Sequence, residues 1–269
     1  MSATVLLEAR GLAIRFGGVV AADGVDLDVF EGEKLAIIGP NGAGKTTFLN
    51  ITTGYLKPQA GTVRFLGREI TAHRPRDITR FGIARAFQIP QLFLDHTVIE
   101  NLLIAAAGQS GRTILMRSLH DLPERSDMEA LLDLVSIRDV ADRKAGELPE
   151  GKRKLVDIAV ALALKPRLLL MDEPTSGVAS SEKFAIMDIL VAALDKQRVT
   201  SVFVEHDMDM VTRYADRVAV WSAGKIQMSG PPAEVLADPV VREQVIGIRT
   251  CSASTRSTCG SPACMCCAT

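Results

Sequence analysis

Two short stretches hold residues whose types and spacing can do chemistry on phosphate. The first is Gly39-Pro40-Asn41-Gly42-Ala43-Gly44-Lys45-Thr46-Thr47, a complete match to the phosphate-loop pattern GxxxxGK[ST]. Glycines lacking a Cβ let successive backbone N–H groups turn inward, and with the start of a helix those donors form an anion cradle. Lys45 is placed to reach the outer phosphates and the Thr46 hydroxyl to ligate Mg²⁺. The second stretch is Leu168-Leu169-Leu170-Met171-Asp172-Glu173. An apolar strand ending in Asp sets a carboxylate at the C-terminal edge of a sheet, where it can hold Mg²⁺ or its water shell. Glu173, one residue on, is then placed to polarise an attacking water as general base. Together they predict a chain that binds and hydrolyses a nucleoside triphosphate.

The motifs count only if the elements around them are right. Leu35 to Ile38 is a short apolar run of buried-strand type, and Thr47 to Thr53 has helical character ending at Gly54, so the loop sits between strand and helix. Upstream, Val5 to Phe16 reads as a strand bent at Gly11, and Val25 to Val29 alternates apolar and acidic residues like a half-exposed strand. Thr62 to Leu66 adds another, and antiparallel pairing of these early strands predicts a small sheet beside the nucleotide. Arg76 to Phe81 reads as a short helix and Ile83 to Phe87 as a strand ending at Gln88. Thr97 to Ala107, Ser126 to Val135 and Lys152 to Leu164 have helical periods, with a break expected at Gly108 to Arg112. Residues 89–164 therefore read as a mostly helical insertion. Beyond the acidic strand, Ser180 to Leu194 is a predicted helix and Thr200 to Glu205 a strand delivering His206. Arg217 to Trp221 and Lys225 to Met228 form a predicted hairpin around Ala223-Gly224, followed by short helices at Pro232 to Ala237 and Val240 to Ile246. Strands alternating with helices predict a largely parallel α/β core.

Composition narrows the partners. The 269 residues are 47% hydrophobic and 23% charged with a formal net charge of −1, which argues against a nucleic-acid surface. No apolar run approaches the roughly 18 residues of a membrane span. The richest, Leu155 to Leu164, carries Asp157. MSATVLLEAR lacks the order of a signal peptide, so a cytosolic location is expected. All five cysteines fall after Thr250, in a Ser/Thr/Ala-rich stretch whose spacing matches no zinc pattern, and residues 250–269 are expected to be a disordered tail.

The order of phosphate loop, Gln88, Leu148-Pro149-Glu150-Gly151-Lys152, LLLMDEP and VEHDM resembles the ATP-binding cassette (ABC) ATPases over Ala9 to about Gly247. Ile14 to Gly18 and Ala84 to Ala105 resemble the ATPases of branched-chain amino acid importers in particular. The resemblance implies a P-loop NTPase cassette over 1–249: a parallel core sheet, a small antiparallel β subdomain and a helical subdomain at about 89–164. It implies adenine stacking on Phe16, sensing of Mg²⁺ and water by Gln88, and γ-phosphate contact by His206. Gly151 would offer its backbone N–H to the nucleotide of an opposing cassette. ATP and Mg²⁺ would be the cofactors. The partners would be a second cassette, as homodimer or heterodimer, two transmembrane permease subunits and, indirectly, a solute-binding protein. The chain would lie peripherally on the inner face of the plasma membrane, and the cargo would be branched-chain or other hydrophobic amino acids, with urea or short amides as alternatives.

Three positions depart from the family pattern. Pro149 and Glu150 stand where Ser and Gly are common, and Ala179 stands where an Asp or Asn usually links the two sites. They predict slower or more partner-dependent hydrolysis. Two other classes fit the sequence less well. A soluble ABC ATPase acting on DNA or ribosomes would carry coiled-coil arms or two cassettes, and neither is present. A degenerate nucleotide sensor sits poorly with intact Lys45, Thr46, Asp172, Glu173 and His206.

Overall fold

The computed structural model describes residues 4–110 and 123–243. Two sheets organise the chain. The first is antiparallel, with strand order β2-β1-β4-β5, from β1 (Val5–Phe16), β2 (Val19–Phe30), β4 (Ala60–Phe65) and β5 (Arg68–Glu69). The second has six strands in the order β10-β9-β3-β8-β7-β6. In it β3 (Lys34–Ile38), β6 (Ile83–Ala86), β7 (Leu168–Asp172), β8 (Thr200–Val204) and β9 (Arg217–Ser222) run parallel, and β10 (Lys225–Gly230) returns antiparallel along β9.

Why these runs are central strands is visible in their two faces. Every residue of β7 and β8 is buried, as expected of parallel strands covered on both sides. The strand period of two then splits each run. Leu35, Ile37, Leu168, Leu170, Val202 and Val204 join one core with Phe48 and Leu49 of α1 (Lys45–Thr52) and the inner face of the antiparallel sheet. Ala36, Ile38, Leu169, Met171 and Phe203 join the other, built from α3 (Val98–Ser110), α4 (Arg125–Leu134), α5 (Glu150–Ala163), α6 (Ser180–Gln197) and α7 (Met208–Tyr214). Among the described residues the other α-helices are α2 (Pro75–Phe81), α8 (Pro232–Ala237) and the three-residue α9 (Pro239–Val241), with short 3-10 helices at Arg138–Val140 and Ala145–Glu147.

The bend expected at Gly11 is a register shift of β1 against β2 between Ala9 and Leu12, where the Gly11 N–H donates to Asp26 Oδ1 at 2.6 Å. Other boundaries differ from the sequence reading. β2 starts at Val19 rather than Val25, because the β1 hairpin pairs Phe16 with Val19. α3 runs through Gly108 to Ser110, where the expected break begins, and residues 111 and 112 of that break lie outside the described residues; buried Ala106 and Ala107 hold the helix past a residue that costs about 1 kcal/mol relative to Ala. α5 begins at Glu150, two residues before the first expected helical position, with Pro149 as its N-cap. The helix expected at Val240 to Ile246 is described only to residue 243. Residues 250–269, with all five cysteines, lie outside the described residues. Among those described, no helix is long and apolar enough to cross a membrane.

Candidate nucleotide site

The parallel strands β3, β7 and β8 end along one edge of the sheet, so the residues that follow them meet there. Gly39 follows β3, Glu173 follows β7, and Glu205-His206 follow β8. A cavity of about 220 Å³ opens at this edge, lined by Phe16, Val19, Asn41 to Thr47, Glu173 and His206. A larger groove between α4 and the C-terminal ends of α5 and α6 carries neither the glycine loop nor the paired acids.

The loop geometry needs glycine at two places. Gly39 has φ +152° and Gly44 φ +115°. A Cβ on Gly39 would strike the Trp221 carbonyl, and one on Gly44 the Ala21 carbonyl and the Trp221 indole. Only a residue without a side chain lets the backbone turn this tightly against β9 and β2. Gly44 is the N-cap of α1, so the amides of the first turn open into the cavity. The Lys45 ammonium donates to the carbonyls of Gly39 and Pro40, at 2.7 and 2.9 Å. Burial lowers its pKa, while the charges of Glu173 and Asp172 oppose that shift.

Asp172 is held from both sides. Its Oδ2 accepts from Arg85 at 2.9 Å in an ion pair whose side chains are 7% and 5% exposed, and its Oδ1 faces the Thr46 hydroxyl at 3.4 Å. Arg85 also reaches Asn50 Oδ1 on α1 at 2.5 Å. With one partner removed, such a pair leaves an uncompensated buried charge, at a cost of about 3–5 kcal/mol. Thr46 and Asp172 bring a hydroxyl and a carboxylate oxygen together, and Gln88 reaches the same site through Glu173. A hard divalent cation held by one or two protein groups, with water and phosphate completing its shell, suits that donor set.

Glu173 adopts φ +50° at the end of β7, with its N–H donating to the Val204 carbonyl at 3.1 Å. A left-handed backbone costs an L-residue about 1–2 kcal/mol, and such strain clusters at functional sites. The turn aims the carboxylate into the cavity. There Oε2 accepts from Gln88 Nε2 at 2.9 Å, and Oε1 lies 3.1 Å from His206 Nε2. Glu205 anchors the next turn: its carboxylate accepts from the Thr175 hydroxyl at 2.9 Å and from the His206 N–H at 3.2 Å. Burial raises the Glu205 pKa, with the hydrogen bonds from Thr175 and the His206 backbone pulling the other way.

The structure therefore brings together Lys45, Thr46, Asp172, Glu173, Gln88 and His206, with Phe16 half-exposed at the rim. Gly151 stands apart, in the first turn of α5 and next to Glu182 and Ile186 of α6. Sequence reading missed Arg85 altogether. An isolated Arg eight residues from the nearest acid, Asp77, gives no sign of a partner 87 residues away.

A family model described as ABC transporter matches residues 22–176. The high-affinity branched-chain amino acid transport ATP-binding protein BraF of Pseudomonas aeruginosa is 35% identical, the match covering 90% of this chain and 98% of that protein. The probable branched-chain amino acid transport ATP-binding protein LivG of Methanocaldococcus jannaschii is 37% identical, with 90% and 97% covered. A solved ATP-binding cassette of an ABC transporter in its ADP conformation superposes with a TM-score of 0.80 at 34% identity, over 91% of this chain and all of that one. The chain thus belongs to the ABC transporter family, as one of its ATP-hydrolysing cassettes.

Proposed function

We propose that this cassette energises an importer of branched-chain or other hydrophobic amino acids, from the inner face of the plasma membrane. The observation that carries the catalytic half is the convergence of Gln88 and His206 on the two oxygens of Glu173, beside the phosphate loop. The transport half is supported by the names of the relatives that match nearly end to end.

In this reading the adenine packs on Phe16, and the triphosphate lies in the amides of residues 41–47. On binding, Lys45 exchanges its two loop carbonyls for phosphate oxygens, a swap of like hydrogen bonds that gains charge pairing. Thr46, Asp172 and Gln88 would hold Mg²⁺, which supplies neutralisation of the phosphate charge. Glu173 takes a proton from the attacking water. His206 orients that water against the γ-phosphate, and Gln88 closes the third side. Gly151 serves the nucleotide of a second cassette, identical or sister, across the dimer. About 1–249 form the cassette, with residues 89–164 as its helical part, and two permease subunits fed by a solute-binding protein complete the machine.

The test is purification from native membranes in mild detergent, with the bound proteins identified by mass. Two multi-spanning subunits are expected, and the accompanying solute-binding protein then identifies the cargo. Recovery of soluble partners alone would overturn the transport reading.

A further inference from the structure

The loop that carries Gln88 is fastened to α5 at three backbone atoms. Asp157 Oδ2 accepts from the Phe87 N–H at 3.0 Å, and its Oδ1 from the Gln91 N–H at 3.2 Å. Lys154, one turn earlier on the same helix face, donates its ammonium to the Gln88 carbonyl. Both side chains are almost wholly buried, at 2% and 5% exposure, in a helix stretch whose Leu155, Val156, Ile158 and Ala159 are buried as well. Burying two ionisable side chains carries a desolvation cost that apolar residues of similar volume would not incur. The pair is therefore better explained by what it holds. Its desolvation is visible in both groups: burial lowers the Lys154 pKa and raises that of Asp157. From the fastened loop, Gln88 Nε2 runs on to Glu173.

We propose that Lys154 and Asp157 are positioning residues that latch the Gln88 loop to α5, making helix and loop one unit. Any displacement of the α5 N-terminus, where Gly151 sits, then moves Gln88 relative to Glu173. This deepens the reading of the site above and rests on Gln88 and Glu173 acting there.

The test compares Lys154→Met, which keeps the apolar stem and removes the donor, with Lys154→Arg, which keeps a donor. Turnover of the purified full-length chain should fall about tenfold in Lys154→Met and recover in Lys154→Arg. ATP affinity should stay within about twofold, read from the fluorescence of Trp221, the single tryptophan, which lies beneath the phosphate loop. In a Gln88→Ala background, Lys154→Met should add nothing further. Amide exchange at Phe87 and Gln91 should speed up about tenfold or more in Asp157→Leu. Unchanged turnover in Lys154→Met, a parallel loss of turnover and ATP affinity without rescue by Arg, or an effect that persists without Gln88 would overturn the latch. So would unchanged exchange at the two amides. None of these readouts uses membrane partners, so failure of the transport reading leaves them standing.

Discussion

The phosphate loop and the first turn of α5 are both helix starts, assigned to phosphate in the function proposed above, yet they are built by opposite means. The loop is shaped by what is absent: no Cβ at Gly39 or Gly44, so the chain lies directly on the carbonyls of Trp221 and Ala21. It rises from β3, in the middle of a sheet buried on both faces. The α5 side is shaped by what is present. Pro149 caps the helix, Glu150 projects from its first turn, and two buried charges tie it to the Gln88 loop. Tight backbone packing holds the first geometry, whereas the second is set by α5, which is packed in the helical core and, under the latch proposed above, carries the Gln88 loop with it. A site with one fixed wall and one movable wall can bind nucleotide on the first and regulate its hydrolysis through the second.

Removing chemistry from the sheet edge between the two walls gives the largest expected effect. Glu173→Gln keeps the volume and an acceptor for Gln88 but no longer takes a proton. Turnover should fall by about 10²–10⁴ with ATP affinity nearly unchanged. Turnover equal to the native rate would remove Glu173 as the base.

The movable wall is probed next through Asp157. Burial pushes its carboxyl up to about 6 from an ordinary value of 3.8, against the backbone bonds from Phe87 and Gln91 and the charge of Lys154. Between those values the folded chain keeps a proton that the unfolded chain releases. This group's contribution to stability therefore falls as pH rises through that window, and its cost is complete above the upper value. Asp157→Asn abolishes the titration. Relative to the native chain, the variant's stability should shift in its favour by up to about 3 kcal/mol between pH 4 and pH 7. Urea unfolding at the two pH values measures this, and a pH-independent difference would contradict it.

The two walls also differ in how far sequence exposes them. The loop's chemistry lies in contiguous residues and in backbone, so its pattern carries its own geometry; the same holds for the apolar run ending at Asp172 and Glu173. Gln88 and His206 carry no such local sign, and resemblance to the family singled them out. The latch was invisible because its bonds span 66 and 70 residues. Asp157 registered in the sequence only as a charge interrupting an apolar run. Arg85 registered not at all, since its role is defined by Asp172 and Asn50 on other elements. The strand core was readable through continuous apolar runs. Helix ends were not, because the packing of Ala106 and Ala107 decides whether Gly108 ends α3.

Glu150 sharpens the contrast at the surface. It occupies the first turn of α5, where a carboxylate suits the helix dipole, and it lies against the Cα of Gly177. In the dimer proposed above, the same charge would oppose a triphosphate approaching the Gly151 amide. Glu150→Gly should raise turnover by about three- to tenfold, matching the removal of roughly 1 kcal/mol of repulsion. It should do so only at concentrations where two cassettes meet. An equal increase at high dilution, where the chain is monomeric, would place the effect within one cassette instead.

The smallest effect is expected where the linking acid of the family is missing. Ala179 has the extended backbone of an N-cap, φ −57° and ψ 140°, but no side-chain oxygen for the exposed amides of α6. Ala179→Asp supplies one, and its charge also faces the positive end of an 18-residue helix. A stability gain of about 0.5–1 kcal/mol should follow, seen as a raised urea midpoint with unchanged slope. Because Gly177 packs under Glu150, a stiffer start to α6 should also steady that contact. Turnover at low protein concentration should therefore stay native while the midpoint rises. A raised midpoint accompanied by faster turnover in the monomer would show that the α6 start acts on the Glu173 side, and so that the movable wall reaches further into the sheet edge than α5 and the Gln88 loop alone.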